Sequence, residues 1–284
     1  MRPKVAFLCY LEKKKGDSYM NTAIYIESKE NNLFKETKKL RDRKGRNKSF
    51  KYLIEGFRLI EEAFKARLPV EYIFIAKEEY EELNRYIEKY VLNDIKIYTI
   101  KKSLLKELTS TENPQGIVAV ASMKSLHLKM DGKFYILCDK LQDPGNLGTI
   151  VRTAHAAGVD GVILTKGTVD LYNEKTLRST MGSVFHIPVV YDDDEFSITK
   201  EFLNNGFSLV TTSLEADRNF FEEDLKGKII ISVGNEGNGI SKEVFDLSNK
   251  KVKIPMPGGA ESLNVAIATS IMIYEKVRQN QLKL

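Results

Sequence analysis

Three short segments in the carboxyl-terminal half carry the residues best suited to chemistry. Asp143-Pro-Gly-Asn-Leu-Gly-Thr-Ile-Val-Arg152 follows an apolar run and opens a helical pattern. Gly234-Asn-Glu-Gly-Asn-Gly239 follows the run Ile229–Val233. Ile254-Pro-Met-Pro-Gly-Gly259 leads into Ser262-Leu-Asn264 at the head of a long apolar segment. Glycine loops that leave strands let backbone amides and carbonyls come close to a small molecule. The polar side chains at their edges (Asn146, Glu236, Ser262, Asn264) can orient a second reactant. Asn146 and Ser262 are also good helix caps, a purely local reading of each. Arg152 falls about a turn and a half into an otherwise apolar helix. A guanidinium packed there on a sheet is costly unless it meets a carboxylate or a phosphate. The glycine order is wrong for a dinucleotide fingerprint, which reads Gly-x-Gly-x-x-Gly in the first βα turn.

Other chemistries fall away. His127, His155 and His186 lie in separate segments without a Cys or carboxylate pattern, so no metal site is expected. Cys9 and Cys138 read as reduced thiols. There is no Gly-x-Ser-x-Gly elbow and no phosphate loop. Asp192-Asp-Asp-Glu195 reads as a solvated turn.

The elements that must position these residues follow from apolar periodicity. Strands are predicted at 70–76, 95–100 and 116–121, with an amphipathic helix from Phe50 through Ile54, Phe57, Ile60 and Phe64, and a charged helix over 78–90. A second series places strands at 134–139, 161–165, 187–190, 207–212, 229–233 and 251–254, with helices at 147–157, 174–181, 196–205 and 263–279. Alternation of this kind predicts an α/β protein in two domains, the second a parallel sheet with helices on both faces. The divisions are a basic arm at 1–44, a small α/β domain at 45–122, a polar linker at 123–133 and a catalytic domain at 134–284.

Composition sets outer bounds. The 284 residues are 42% hydrophobic and 29% charged, as in a globular protein with a substantial core. Val5–Leu11 is too short to span a bilayer, and no cleavage site follows, so a cytoplasmic protein is expected. The net charge of +5 is lopsided: residues 1–50 hold 14 Lys/Arg against 6 Asp/Glu. Lys38, Lys39, Arg41, Arg43, Lys44, Arg46 and Lys48 make a run suited to phosphate backbones, although such runs are as often plain solvated arms.

Taken in order, Asn146-Leu-Gly-Thr-Ile-Val-Arg152, Gly234-Asn-Glu-Gly-Asn-Gly-Ile-Ser241 and Ile254-Pro-Met-Pro with Ser262-Leu-Asn-Val265 resemble the SpoU (TrmH-type) family of RNA ribose 2′-O-methyltransferases in the SPOUT superfamily. Phe50-Lys-Tyr-Leu-Ile-Glu-Gly-Phe-Arg-Leu-Ile-Glu-Glu-Ala63 and Asn113-Pro-Gln-Gly116 are similar to that family's amino-terminal, L30e-like RNA-binding domain. Coverage runs from about residue 24 to the end; residues 1–19 fall outside it, and Met20 is a sensible alternative start. The resemblance implies a carboxyl-terminal trefoil knot, S-adenosylmethionine bent within the knot loops, and a homodimer with shared active sites. Carried over by position, it implies cofactor contacts at Gly234, Ile254, Met256 and Leu263 with Thr211 and Thr212 nearby, and a catalytic set of Asn146, Arg152, Glu236, Ser262 and Asn264. The family assigns the arginine as general base. An arginine that is effectively always protonated suits a clamp on the target phosphate better, and Glu236 reads as a brace of loops or of Arg152 rather than as the base. The implied activity is S-adenosylmethionine-dependent methylation of structured RNA, on a guanosine of large-subunit (23S) ribosomal RNA. The alternatives are a transfer-RNA enzyme and, in other classes, a non-catalytic RNA-binding or assembly factor and a nicotinamide oxidoreductase. No metal or membrane partner is implied.

Overall fold

The computed structural model of the chain describes residues 23–87, 90, 95–124, 126–213 and 216–281. Two compact units emerge; the boundary falls after Lys124, and Tyr172–Glu174 belong with the first.

The first unit runs β1 (Ile24–Ile26), α1 (Asn32–Lys39), α2 (Arg43–Ser49), β2 (Lys51–Glu55), α3 (Phe57–Lys65), β3 (Val70–Ala76), α4 (Glu82–Tyr86), β4 (Lys96–Ile100), α5 (Lys102–Leu108) and β5 (Ile117–Ser122). Its sheet has the order β1-β4-β3-β5-β2, parallel around β4 and antiparallel around β5. The helix expected from Phe50 is in fact β2 followed by α3. Tyr52, Leu53 and Ile54 are all buried, so the run is apolar on both faces and carries no helical period of its own. Gly56, at φ +97°, makes the break between strand and helix. The charged helix expected at 78–90 is a 3₁₀ turn at Lys77–Glu79 and the short α4; residues 88 and 89 lie outside the described set. The basic arm is corrected as well. Phe34 of α1 and Leu40 are 1% and 4% exposed and join Leu53, Phe74 and Ile100 in one apolar cluster, so residues 32–44 are part of the domain. Residues 1–22 of the arm lie outside the described residues.

The second unit runs β6 (Phe134–Cys138), α6 (Pro144–Ala156), β7 (Gly161–Leu164), α7 (Glu174–Thr180), β8 (Val189–Tyr191), α8 (Ser197–Asn204), β9 (Ser208–Thr212), β10 (Arg218–Asn219), β11 (Ile229–Val233), α9 (Lys242–Leu247), β12 (Lys250–Lys253) and α10 (Val265–Gln281). The sheet order is β10-β12-β9-β11-β6-β7-β8, with every neighbouring pair parallel. All five positions of β6 and of β11 are buried, as befits central strands covered on both faces. Two readings change here. The stretch 123–133 is not a free linker, because Leu128 and Met130 pack against the Tyr135, Phe202 and Phe207 cluster. Asp192 is 4% exposed rather than solvated: its carboxylate accepts from Ile198 N, Thr199 N and Thr199 Oγ1 and so seats the start of α8.

Candidate active site

The sheet order brings the three sequence segments together. β12, β9, β11 and β6 are consecutive neighbours, and all end on the same edge. Val252 pairs with Thr212, Ser232 with Thr211, and Val233 with Cys138. Thr211–Thr212, Gly234, Ile254 and the turn after Cys138 therefore leave side by side from the carboxyl ends of parallel strands, where ligands bind in open α/β sheets.

A buried carboxylate anchors this edge. Asp139 is fully buried and accepts from Thr165 Oγ1 (2.9 Å) and from Ser241 N (2.6 Å). The next residue, Lys140, is left-handed (φ 53°), a strained conformation for a residue with a Cβ. Its N–H donates to Thr165 Oγ1, and its carbonyl accepts from the side-chain amides of Asn235 and Gln142, each at 2.9 Å. Gln142 Nε2 also donates to Gly167 O at 2.8 Å.

On this anchor stands a relay of three side chains. Glu236 accepts from Gln142 N (3.0 Å) and Asp143 N (3.1 Å), and its Oε1 also accepts from Asn146 Nδ2 (2.9 Å). Asn146 Oδ1 accepts from Asn264 Nδ2 at 2.9 Å. Asn264 Oδ1 in turn accepts from Ala266 N and Ile267 N at the head of α10. Burial pushes the Glu236 carboxyl up, but the Asn146 amide and the backbone N–H groups of Gln142 and Asp143 outweigh it and hold it below the ordinary value of 4.5. The group is a carboxylate at neutral pH with its lone pairs engaged.

Both expected caps are displaced by neighbours. Asp143 caps α6, accepting from Asn146 N at 2.9 Å with Pro144 at the first helical position. The Asn146 side chain is thereby free to bridge Glu236 and Asn264. Asn264, rather than Ser262, caps α10. Ser262 is exposed and outside the relay. Arg152 is also outside it: it lies on the exposed face of α6, with no hydrogen bond or ion pair among the described residues. A solvated guanidinium needs no buried partner, and Glu236 braces the 142–146 turn, not Arg152. Thr165, Asp139, Gln142, Asp143 and Asn235 were not among the expected site residues. Asp-Pro ahead of a helix is the one signal that could have found Asp143; the other four are recognisable only by what they touch.

The cofactor positions suit a molecule that is read largely by backbone. A Cβ on Gly234 would lie 2.2 Å from the Gly239 carbonyl carbon, so the loop, closed by reciprocal bonds between Asn235 and Gly239, has room only for glycine. Ile254 and Met256 are half-buried and Leu263 is 38% exposed, leaving apolar side chains open to an adenine or thioether. Thr211 turns away, sharing a 2.7 Å hydrogen bond with Ser232 Oγ inside the sheet, and Thr212 Oγ1 reaches Ser232 O at 3.5 Å. Among the described residues no cluster of three His, Cys, Asp or Glu could hold a metal, and no helix is long and apolar enough to cross a membrane. His155 and His186, distant in sequence, stack with ring centroids 5.2 Å apart on the surface.

The basic run divides. Arg46 is 3% exposed, and its guanidinium donates to Leu40 O and Arg41 O, so it braces the α1–α2 turn and is not available to a phosphate. Lys38 pairs with Glu107 and Lys39 with Glu36, while Arg41 donates to Glu107 O. Arg43, Lys44 and Lys48 are exposed.

Comparisons with known proteins place the chain in a family. Residues 133–274, half of the chain, match the SpoU rRNA Methylase family, and residues 31–119 match the MRM3-like substrate binding domain. A Bacillus subtilis protein, 23S rRNA (guanosine(2553)-2′-O)-methyltransferase RlmP, is 39% identical over 249 residues, covering 88% of this chain and 97% of that one. Mouse mitochondrial rRNA methyltransferase 3 is 30% identical, over 86% and 71% of the two chains. Among solved structures, the SpoU methyltransferase AviRb of Streptomyces viridochromogenes in complex with AdoMet superposes with a TM-score of 0.81 at 30% identity, over 88% and 98%. An AdoMet-bound rRNA methyltransferase from Sinorhizobium meliloti gives 0.77 at 29% identity, over 91% and 98%. The chain belongs to the SpoU family of S-adenosylmethionine-dependent RNA ribose 2′-O-methyltransferases.

Proposed function

We propose that this enzyme methylates the ribose 2′-hydroxyl of a guanosine in large-subunit ribosomal RNA, as a cytoplasmic homodimer. The observation that carries the substrate is the likeness to the Bacillus subtilis 23S rRNA enzyme, which extends through the substrate-binding domain over 97% of that protein. Bound S-adenosylmethionine supplies an already activated sulfonium methyl, so the protein's task is alignment of the hydroxyl and removal of one proton. The Glu236–Asn146–Asn264 relay fixes the 142–146 turn to the head of α10, holding the two polar loops in one geometry. Arg152, exposed on α6, is a guanidinium available to a target phosphate, where it would orient the ribose and lower the pKa of its hydroxyl. The half-buried Ile254 and Met256, with Ser262 in the same loop, would hold the cofactor.

The homodimer is supported by α10. Leu263 precedes it and Ile267, Ile271 and Tyr274 lie along it at spacings of four, four and three, on one face, with Ile267 and Tyr274 52% and 51% exposed. Thr153 Oγ1 and Ser270 Oγ, 3.2 Å apart, join α10 to α6, the helix that carries Arg152.

The test is transfer of tritiated methyl to total RNA from a strain lacking the gene, with the product mapped. Label at one guanosine of large-subunit RNA, at an alkali-resistant linkage, is the expected result. Label in transfer RNA overturns the substrate, and cofactor binding without label in any RNA would favour an assembly role.

A further inference from the structure

Phe50 is 69% exposed, more than any other large apolar side chain among the described residues. It also sits in the left-handed region (φ 54°, ψ 37°) at the end of α2, a position where glycine is the usual occupant because it has no Cβ to clash. The ring adds nothing to the core. A strained backbone and a wetted phenyl ring are both unfavourable for folding, so fold stability does not account for this residue.

The seat beneath it is firm. Phe50 O accepts from Met123 N at 2.7 Å, and Lys51 begins β2 opposite Ser122. α2 is packed so closely on the end of α1 that a Cβ on Gly45 would lie 2.0 Å from Lys39 O, and the buried Arg46 fastens the turn from within. α2 holds four cations and no acid, and three of them, Arg43, Lys44 and Lys48, face solvent. A protein partner would ask for a wider apolar patch than one ring at the end of a basic helix. An exposed aromatic ring at the end of a helix whose solvent-facing charges are all cationic suits an unpaired nucleobase and its flanking phosphates.

We infer that Phe50 is a stacking platform for an unpaired base of the RNA substrate, with Arg43, Lys44 and Lys48 on the adjoining phosphates. The inference rests on the reading of this chain as an enzyme of structured RNA. Stacking of one base is worth roughly a 5- to 100-fold change in affinity.

The experiment measures binding of the full-length protein to deproteinised large-subunit rRNA and to bulk transfer RNA by filter retention, over a range of salt. Phe50→Gly, which relieves the strained backbone, is expected to weaken binding to rRNA roughly 5- to 100-fold without lowering the thermal midpoint and without changing the salt slope. Phe50→Trp restores affinity. Lys48→Glu lowers the salt slope, because it removes a phosphate contact and not a stack. Wild-type affinity in Phe50→Gly, or an equal loss in Phe50→Trp, overturns the platform while leaving the enzyme's substrate as proposed. Wild-type protein that prefers transfer RNA overturns the substrate, and the Phe50→Gly ratio on that RNA then decides the platform separately. No binding of either RNA overturns both.

Discussion

At the scale of single residues, the informative result is the state of Glu236. Its oxygens take two backbone N–H groups and the Asn146 amide, which hold it ionised. A depressed carboxyl contributes its stabilisation above the ordinary value of 4.5 and loses it as pH falls through the lower folded value. It therefore has no titration near neutrality. Glu236→Gln replaces a charge-assisted acceptor and sets a donor against backbone N–H groups, so methyl transfer is expected to fall about 10- to 100-fold. The acid limb of the pH–rate profile should stay where it is. A limb that moves in the variant would make Glu236 the proton acceptor.

Elements present these residues through their ends. The Asp143 cap leaves Asn146 at the third helical position, pointing back at Glu236. Asp143→Ala should cost about 1 kcal/mol in urea unfolding at pH 7. The Asn146 N–H chiefly, aided by Lys175, holds the Asp143 carboxyl below 3.8, so this difference is present above that value and fades as pH drops beneath it. At the other end of α10, Lys276 is fully buried, with Nζ on Leu225 O and Gly227 O, and burial pushes its pKa down to about 8. Between about 8 and 10.5 the unfolded chain holds a proton there that the native protein sheds, so this group makes stability rise with pH. In Lys276→Met that rise should be absent when unfolding is compared at the two ends of the window. Placing Phe34 and Leu40 in the core also alters how the basic segment must be probed. Deleting residues 1–48 would remove core along with charge, so charge reversal within α2 is the cleaner perturbation.

For the molecule as a whole, the outward face of α10 carries the proposal of a dimer. Ile267→Glu puts a charge on an apolar stripe that is exposed in one chain and that the proposed dimer would cover. Light scattering should report a dimer for the wild type and a monomer for the variant, with transfer lost and the far-ultraviolet circular dichroism kept. A monomeric, active wild type would leave each site complete within one chain.

The sequence by itself determined the three loops, their order and the parallel α/β frame. Glycine at 234, Asp-Pro at 143–144 and continuous apolar runs such as Ile229–Val233 have local physical meaning that any reader of the chain can recover. β2 is hidden from periodicity because a strand buried on both faces and one side of a helix present the same apolar residues, and only the pairing of Ile54 with Ala119 separates them. Tertiary structure alone decided which strands are neighbours, and hence that Asn146 shares hydrogen bonds with Glu236 and Asn264 across 90 and 118 residues of chain. It alone made Arg46 a buried brace and Phe50 an exposed ring. Charge and apolarity are properties of a residue, whereas burial depends on what the rest of the chain brings to it.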